Sequence, residues 1–565
     1  RAIREKYMGP LIKTVMTRCI QCTRCVRFAT EIAGVEDIGM VNRGERAEIT
    51  TLERAVDSEL SGNLVDICPV GALTSAPYAF VARPWELRKT ISVDVMDAVG
   101  SNIRVDARGR EVLRVLPRLH EGINEEWISD KTRHACDGLS RQRLDRPYLR
   151  IDGRLQAVSW EEALSAVAER LRATPGEGMA AIAGDVCDAE SMLALKDFMS
   201  GLGCPNLECR QDGSKVGSNG VARSEYLFNT TIAGIEQADA ILLVGTNPRW
   251  EAAMVNARIR KRFLQTGLPI GLIGPDVELT YRAHWLGDGP QALQALARGE
   301  GDFAETLRKA KRPMIILGSG VAVRPDGAAL LALAREVAET FGMAGPSAPE
   351  GWNGYNLLNR AASRVGGLDL GFLPAEGGRD LEGILSGAEA GEIEVVWLLG
   401  ADEIDMARLG EAFVVYQGHH GDAGAHRADV ILPGAAYTEK NGTYVNLEGR
   451  VQLGRLAVFP PGEAREDWTI LRALSGVVGE PLPYDNLGEL RYKLIEANPI
   501  FGRLDEVRPA AWEAFGKGGE FSDVPFDLPL DNFYMTDPIS RASPTMAKCT
   551  EIFVLPKRAR TGTDG

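Results

Sequence analysis

Three cysteines, Cys19, Cys22 and Cys25, stand at three-residue intervals in RCIQCTRCVRF, and the next thiol waits until Cys68 in DICPVGAL. The C-x2-C-x2-C spacing lets one compact loop bring three thiolates to neighbouring corners of an iron–sulfur cube. Zinc sites usually draw two thiols from one knuckle and two from another, so three from one loop and one from afar points to [4Fe–4S]. Closing the roughly forty-residue span to Cys68 is tolerable, because closure entropy rises only logarithmically with length, and metal–thiolate bonds outweigh it. Pro69 follows the fourth thiol, and PVGALTSAPYAF is expected to start a short helix there. Proline suits a first helical position, and the free amides of such a helix would face a net-negative cluster. Arg18, Arg24 and Arg27 lie within reach of the loop, where they either raise the cluster's potential or serve as ordinary solvated arginines. An iron whose protein bonds are all to cysteine has no open position for substrate, so such a site moves electrons.

The rest of the composition bounds the setting. A chain of 565 residues exceeds a single core and suggests three or four domains at ~150 residues each. The net charge of −14 argues against nucleic acid as the main ligand, which needs a basic surface. No apolar run approaches the ~18 residues of a membrane span, so membrane association is expected to go through partners. Nine cysteines are too few for a disulfide scaffold in a chain of this length, and their clustering near the start reads as metal binding in a reducing compartment. Cys136, Cys187, Cys204, Cys209 and Cys549 share no metal spacing and read as ordinary thiols. The chain opens on Arg1 without a signal-like segment, as expected of a processed product or part of a longer one.

Along the chain, residues 90–117 alternate β-branched runs with AVGSN and ARGRE breaks, the pattern of an antiparallel meander. From Ser159 the texture changes. SWEEALSAVAERLRA has a Ser N-cap, acidic first-turn residues and helical apolar spacing. Strand-like MAAIAGD, ADAILLVGTNP, LPIGLIG, RPMIILGSG and IEVVWLLGADE then alternate with amphipathic segments, the pattern of parallel α/β units. No G-x-G-x-x-G accompanies them, and turn glycines have backbone reasons of their own, so no dinucleotide site is expected. His419, His420 and His426 in GHHGDAGAH read as a polar loop before a strand. The Pro-rich stretch around DVPFDLPLDNFYMTDPISRASP is expected to run extended over the surface or against a neighbour.

GPLIKTVMTRCIQCTRCVRFATEIAGV, ELSGNLVDICPVGALTSAPYAF, ARPWELRKT and DVMDAVGSNI resemble the family of large iron–sulfur subunits of respiratory NADH:quinone oxidoreductase, complex I. INEEWISDKTRHACDGL, ADAILLVGTNPRWEAAMVNARIRK and RADVILPGAAYTEKNGTYVNLEGRVQ extend the likeness over essentially the whole chain, toward the alphaproteobacterial or mitochondrial type. The resemblance implies an electron-transfer subunit of the peripheral arm, with Cys19, Cys22, Cys25 and Cys68 holding one [4Fe–4S] cluster. It implies partners as well: the NADH- and FMN-binding subunit and the iron–sulfur subunits leading to quinone, in a hetero-oligomer. No NADH or quinone site is expected on this chain, and its place would be the cytoplasmic face of a bacterial inner membrane or the matrix face of a mitochondrial one. The family's [2Fe–2S] domain and its His-plus-three-Cys [4Fe–4S] site precede the segment beginning at Arg1, and are expected only on that earlier region.

The implied division is a ferredoxin-like [4Fe–4S] domain over 1–89, a β-rich meander over 90–150 of the iron–sulfur type found in molybdopterin enzymes, and a molybdopterin-oxidoreductase-like α/β region without cofactor over 151–480. A C-terminal helix and an extended tail fill 481–565. Some members carry a further cluster on C-x2-C-x3-C-x27-C in the meander. Here those positions hold Asp94, Asp97, Ser101 and Ser129, poor replacements for soft thiolates, and that site is expected to be empty. The competing reading is a molybdenum- or tungsten-dependent formate dehydrogenase-like catalytic subunit, but no Cys–His or Ser–His pair stands out in a Gly-rich loop after residue 150. If the α/β region is a scaffold, its strand-end crevice is expected to be collapsed or filled by side chains.

Overall fold

A computed structural model describes residues 3–52, 55–218 and 220–555. Its centre is two parallel sheets. One has seven strands in the order Asn206–Glu208, Met179–Ala183, Val395–Leu399, Phe413–Gly418, Val430–Pro433, Tyr148–Ile151 and Arg154–Ala157, with only the last two joining antiparallel. The other has five strands, all parallel: His284–Gly287, Ile270–Ile273, Ala240–Val244, Pro313–Leu317 and Tyr355–Leu357. The central strands are near-continuous apolar runs because helices cover both faces of a parallel sheet. Alternation with period two then sends neighbours to opposite cores. Val395, Trp397 and Leu399 join one hydrophobic cluster, and Val396 and Leu398 another.

The same rule connects the two ends of the molecule. Ala240, Leu242 and Val244 face the core shared with the seven-stranded sheet. Ile241 and Leu243 face a core that continues through Met254, Val255 and Ile259 of the helix Ala253–Thr266 into Met8, Leu11, Met16, Phe28 and Leu64 near the chain's start. The cysteine loop is thus built on the back of an α/β sheet.

The expected meander is present as three antiparallel strands, Arg88–Val93, Asn102–Arg108 and Glu111–Pro117. The helix at Trp160–Ala173 starts on Ser159, whose side chain accepts from the Glu162 amide while the Glu162 carboxylate accepts from the Ser159 amide. Three expectations are revised. His419 and His420 are buried, with the Nδ1 atoms of the two rings 2.5 Å apart, and a short helix Ala423–Arg427 follows them. Burial lowers both ring pKa values, so the expected loop carries a packed neutral pair, while its third histidine, His426, is exposed.

The Pro-rich stretch is the second. It runs extended over the surface as far as the short helix Pro538–Arg541, and it is strapped to its own chain. Phe515, Phe526 and Phe533 are buried anchors, and Arg541 beyond them reaches Glu403 and Asp422 at 2.6 Å each. The strap crosses the ends of the parallel strands, where Gly184 and the Gly400 carbonyl approach so closely that a Cβ at 184 would lie 1.8 Å from that oxygen. The crevice beneath it is neither collapsed nor filled. A cavity of about 390 Å³ remains, lined among others by Asp185, Gln211, Trp250, Arg360 and Glu403.

Candidate metal centre

Backbone pairing closes the long gap between the cysteines. The strands Ile12–Thr14 and Leu73–Ser75 pair antiparallel, with Thr14 opposite Leu73, and the ladder continues as the Val15 amide donates to the Ala72 carbonyl at 2.7 Å. Residues 15–19 therefore run beside 68–72, and Cys19 and Cys68 arrive together. Met16–Arg18 forms a single tight turn that delivers Cys19 in extended conformation. Gln21 and Thr23 then adopt left-handed backbone angles, φ +50° and +59°. These are uncommon for residues with side chains, and they fold the loop into a cup. The short helix Arg24–Arg27 carries Cys25 on the far wall.

The helix expected to begin at Pro69 is absent. A helical turn, Leu64–Ile67, ends at Cys68 instead, and a left-handed Gly71 (φ +63°) turns the chain into the strand Leu73–Ser75. Strand pairing with Ile12–Thr14 outweighs the proline's helix-start preference. The amides facing the sulfurs come from the loops. Gln21 N–H donates to the Cys19 sulfur and Leu73 N–H to the Cys68 sulfur, each at 3.4 Å.

All four cysteines are half-buried and line one pocket with Met16, Ile49 and Leu73. Burial above all, with Cys19, Cys22 and Cys68 adding to it, pushes the Cys25 thiol up to about 11 against the pull of the Val26 amide. The Cys25 thiol resists ionising on its own, and a cationic iron centre would hold it as a thiolate. Among the described residues no three His, Cys, Asp or Glu could hold a single metal ion. A cluster makes a different demand, because each thiolate takes its own iron and the sulfurs stand around the group and not around a point. The donor set therefore fits an iron–sulfur cluster. Arg18, Arg24 and Arg27 are not buried, which supports their reading as solvated arginines. No local pattern marks the two sulfur-directed amides or the left-handed loop, since both follow from backbone path.

Asp94, Asp97, Ser101 and Ser129 are also gathered, all buried. Thr132 Oγ1 donates to Asp94 at 2.8 Å and lies 2.8 Å from Ser129 Oγ, the Asp94 amide donates to the Ser101 carbonyl at 2.9 Å, and Asp97 accepts from the Val99 amide at 2.9 Å. Burial, then the charge of Asp97, pushes Asp94 up to about 8. Asp97, Ser129 and one oxygen of Asp94 are tied into local hydrogen bonds, while Asp94 Oδ1 and Ser101 Oγ are buried without a partner. The other five cysteines pack as ordinary thiols; Cys187 and Cys204 donate to the Leu399 and Met179 carbonyls at 3.0 and 3.1 Å.

Four family models match the sequence. They are NADH-quinone oxidoreductase subunit 3, ferredoxin-like domain, over 9–74; the NDSU1/NuoG-like 4Fe-4S domain of NADH-ubiquinone oxidoreductase over 87–137; molybdopterin oxidoreductase over 143–477; and the C-terminal region of the NADH-ubiquinone oxidoreductase G subunit over 506–549. The mitochondrial NADH-ubiquinone oxidoreductase 78 kDa subunit of Neurospora crassa is 50% identical over 97% of this chain and 74% of its own length. The NADH-quinone oxidoreductase G subunit of Rickettsia bellii is 48% identical over 98% of this chain and 79% of its own. Among solved structures, acetylene hydratase from Pelobacter acetylenicus aligns with a TM-score of 0.48 at 13% identity, over 73% of this chain and 72% of that one.

Proposed function

Because the chain belongs to the family of the large iron–sulfur subunit of NADH:quinone oxidoreductase, we propose that it is a one-electron relay of that complex, holding one [4Fe–4S] cluster on Cys19, Cys22, Cys25 and Cys68. The observation that carries this reading is the convergence of those four thiols on one pocket with two backbone amides aimed at their sulfurs. When bound, the cluster supplies reversible one-electron chemistry. The protein's part is to hold it and set its environment. Cys19, Cys22, Cys25 and Cys68 would hold the cluster with one thiolate each, which would leave no position for a metabolite. The Gln21 and Leu73 amides favour the more negative state, and buried Met16 and Ile49 keep water from one side.

The proposal extends to the division 1–89, 90–150, 151–480 and 481–565, to the NADH/FMN-binding subunit and the quinone-side iron–sulfur subunits as partners, and to a peripheral place on the cytoplasmic or matrix face. No helix among the described residues is long and apolar enough to cross a membrane. The α/β region is proposed as architecture without molybdopterin, on the lack of a Cys–His or Ser–His pair in a Gly-rich loop after residue 150 and in spite of its open strand-end crevice, and the oxygen cluster at Asp94 as a site without iron.

Cys22→Ala tests the relay against Cys136→Ser as control. The first is expected to lose the reduced cluster's EPR signal and its iron, and with them NADH:quinone electron transfer in the assembled complex; the second keeps all three. Full transfer in a Cys22→Ala complex lacking the signal would overturn the proposal, as would stoichiometric molybdenum or tungsten by elemental analysis.

A further inference from the structure

The helical turn Leu64–Ile67, which ends at Cys68, is gripped by a distant part of the chain, the short helix Asp130–His134. Asp130 accepts from the Gly62 amide at 2.6 Å and from Ser61 Oγ at 2.5 Å, and its own amide donates to the Glu59 carbonyl at 2.7 Å. One turn on, Arg133 Nη2 donates to Asn63 Oδ1 at 3.0 Å and to Asp66 Oδ2 at 2.5 Å. Asn63 Nδ2 donates to the Ile128 carbonyl at 2.8 Å, and Asn63 Oδ1 accepts from the Ile128 amide at 3.2 Å. Ser61, Asn63, Asp130 and Arg133 are all buried, and the approach is close: a Cβ at Gly62 would lie 2.8 Å from Arg133 Cδ.

The same short helix also carries the oxygen site. Ser129 caps it by accepting from the Thr132 amide, and Thr132 Oγ1 donates to Asp94. Residues 128–133 therefore join the meander to the segment that leads to Cys68. Burying a guanidinium costs several kcal/mol of hydration, so the contact is weak as a source of stability, and what it supplies is a fixed arrangement. Asp66 stands two residues before Cys68, and the Cys68 sulfur accepts from the Leu73 amide at 3.4 Å. A displacement of Asp66 is thereby passed on to the sulfur and to its amide contact.

We propose that Arg133 is a positioning residue for the cluster site: through Asp66 and Asn63 it holds Cys68 against the Leu73 amide and so helps to set the reduction potential. The inference rests on the reading of the four thiols as cluster ligands. The amide favours the more negative state, so loosening its contact with the sulfur lowers the potential.

EPR-monitored redox titration of the cluster-loaded chain tests this with two variants that keep every charge. Arg133→Lys replaces the planar fork by a shorter stem that does not reproduce its reach. Asp66→Glu displaces the acceptor instead, at a side chain 31% exposed, where an added methylene is accommodated. Each is expected to keep the parent's iron content and to lower the midpoint by ~30 mV or more. That is a ~3-fold change in the reduced-to-oxidised ratio, at about 59 mV per tenfold for one electron. Arg104→Lys is the control, because Arg104 pairs with Asp106 within the meander, and it is expected to titrate with the parent. If Arg133→Lys does not fold, Asp66→Glu decides by itself. Midpoints equal to the parent's in variants that carry their iron would overturn the positioning role and leave the four-thiol reading intact. An equal fall in Arg104→Lys would overturn it too. A parent chain reconstituted with iron and sulfide that shows no cluster signal would overturn the four-thiol reading, and this inference with it.

Discussion

At the scale of single residues, the meander buries two carboxyls side by side. These are Asp94 and Asp97, with Lys131 the cation that acts on both and Thr132 and Tyr437 also facing Asp94. A carboxyl with a raised pKa binds its proton more tightly folded than unfolded. Its stabilising contribution is therefore complete at low pH and is lost as pH rises from the ordinary carboxylate range to about 8. Asp94→Asn has no such slope. The variant is expected to gain on the parent between pH 5 and pH 8 by something on the order of 2 kcal/mol. Urea unfolding at both pH values checks this, and an unchanged difference would show that Asp94 is ionised throughout. Alternation and spacing locate these residues in the sequence, but their hold on a proton depends on neighbours across the fold.

At the scale of elements, local signals held where local physics decides. The helix Trp160–Ala173 begins at Ser159 because a side chain three residues away completes its cap. Ser159→Ala is expected to cost about 1 kcal/mol, read as a shift of the urea midpoint for that region with no change in cluster content. The Pro69 segment failed for the opposite reason. Its preference for starting a helix is a weak prior, and three residues of strand pairing with Ile12–Thr14, joined to a left-handed Gly71, outweigh it. Gly184 depends on the same kind of contact. Gly184→Ala is expected to push the ends of the strands Met179–Ala183 and Val395–Leu399 apart and to destabilise the chain by roughly 1–3 kcal/mol, measured by chemical unfolding.

At the scale of the whole molecule, the cysteine loop is held to the α/β body by a shared core and by buried ion pairs. Arg249 makes a two-pronged contact with Glu59, Nη2 to Oε1 at 2.9 Å and Nε to Oε2 at 3.2 Å, with both side chains buried. Glu59 lies in the segment that leads to Cys68. Arg249→Met leaves that carboxylate buried without its partner, a loss of ~3–5 kcal/mol. The variant is expected to release iron to a chelator faster than the parent while its α/β secondary structure stays intact. Equal rates of iron loss would show that the loop needs no support from the body.

Residue type and short spacing were enough to single out the four thiols that share one pocket, the alternation that makes parallel sheets, the meander and the capped helix. These features act over the range at which side chains and backbone meet their immediate neighbours, so a linear chain can record them. It took the folded chain to bring Cys19 to Cys68, to bury the histidine pair, to draw the C-terminal strap over a cavity, and to pin Asp66 with Arg133. Those outcomes depend on contacts between residues tens to hundreds of positions apart, where burial and backbone pairing prevail and no local pattern foretells them.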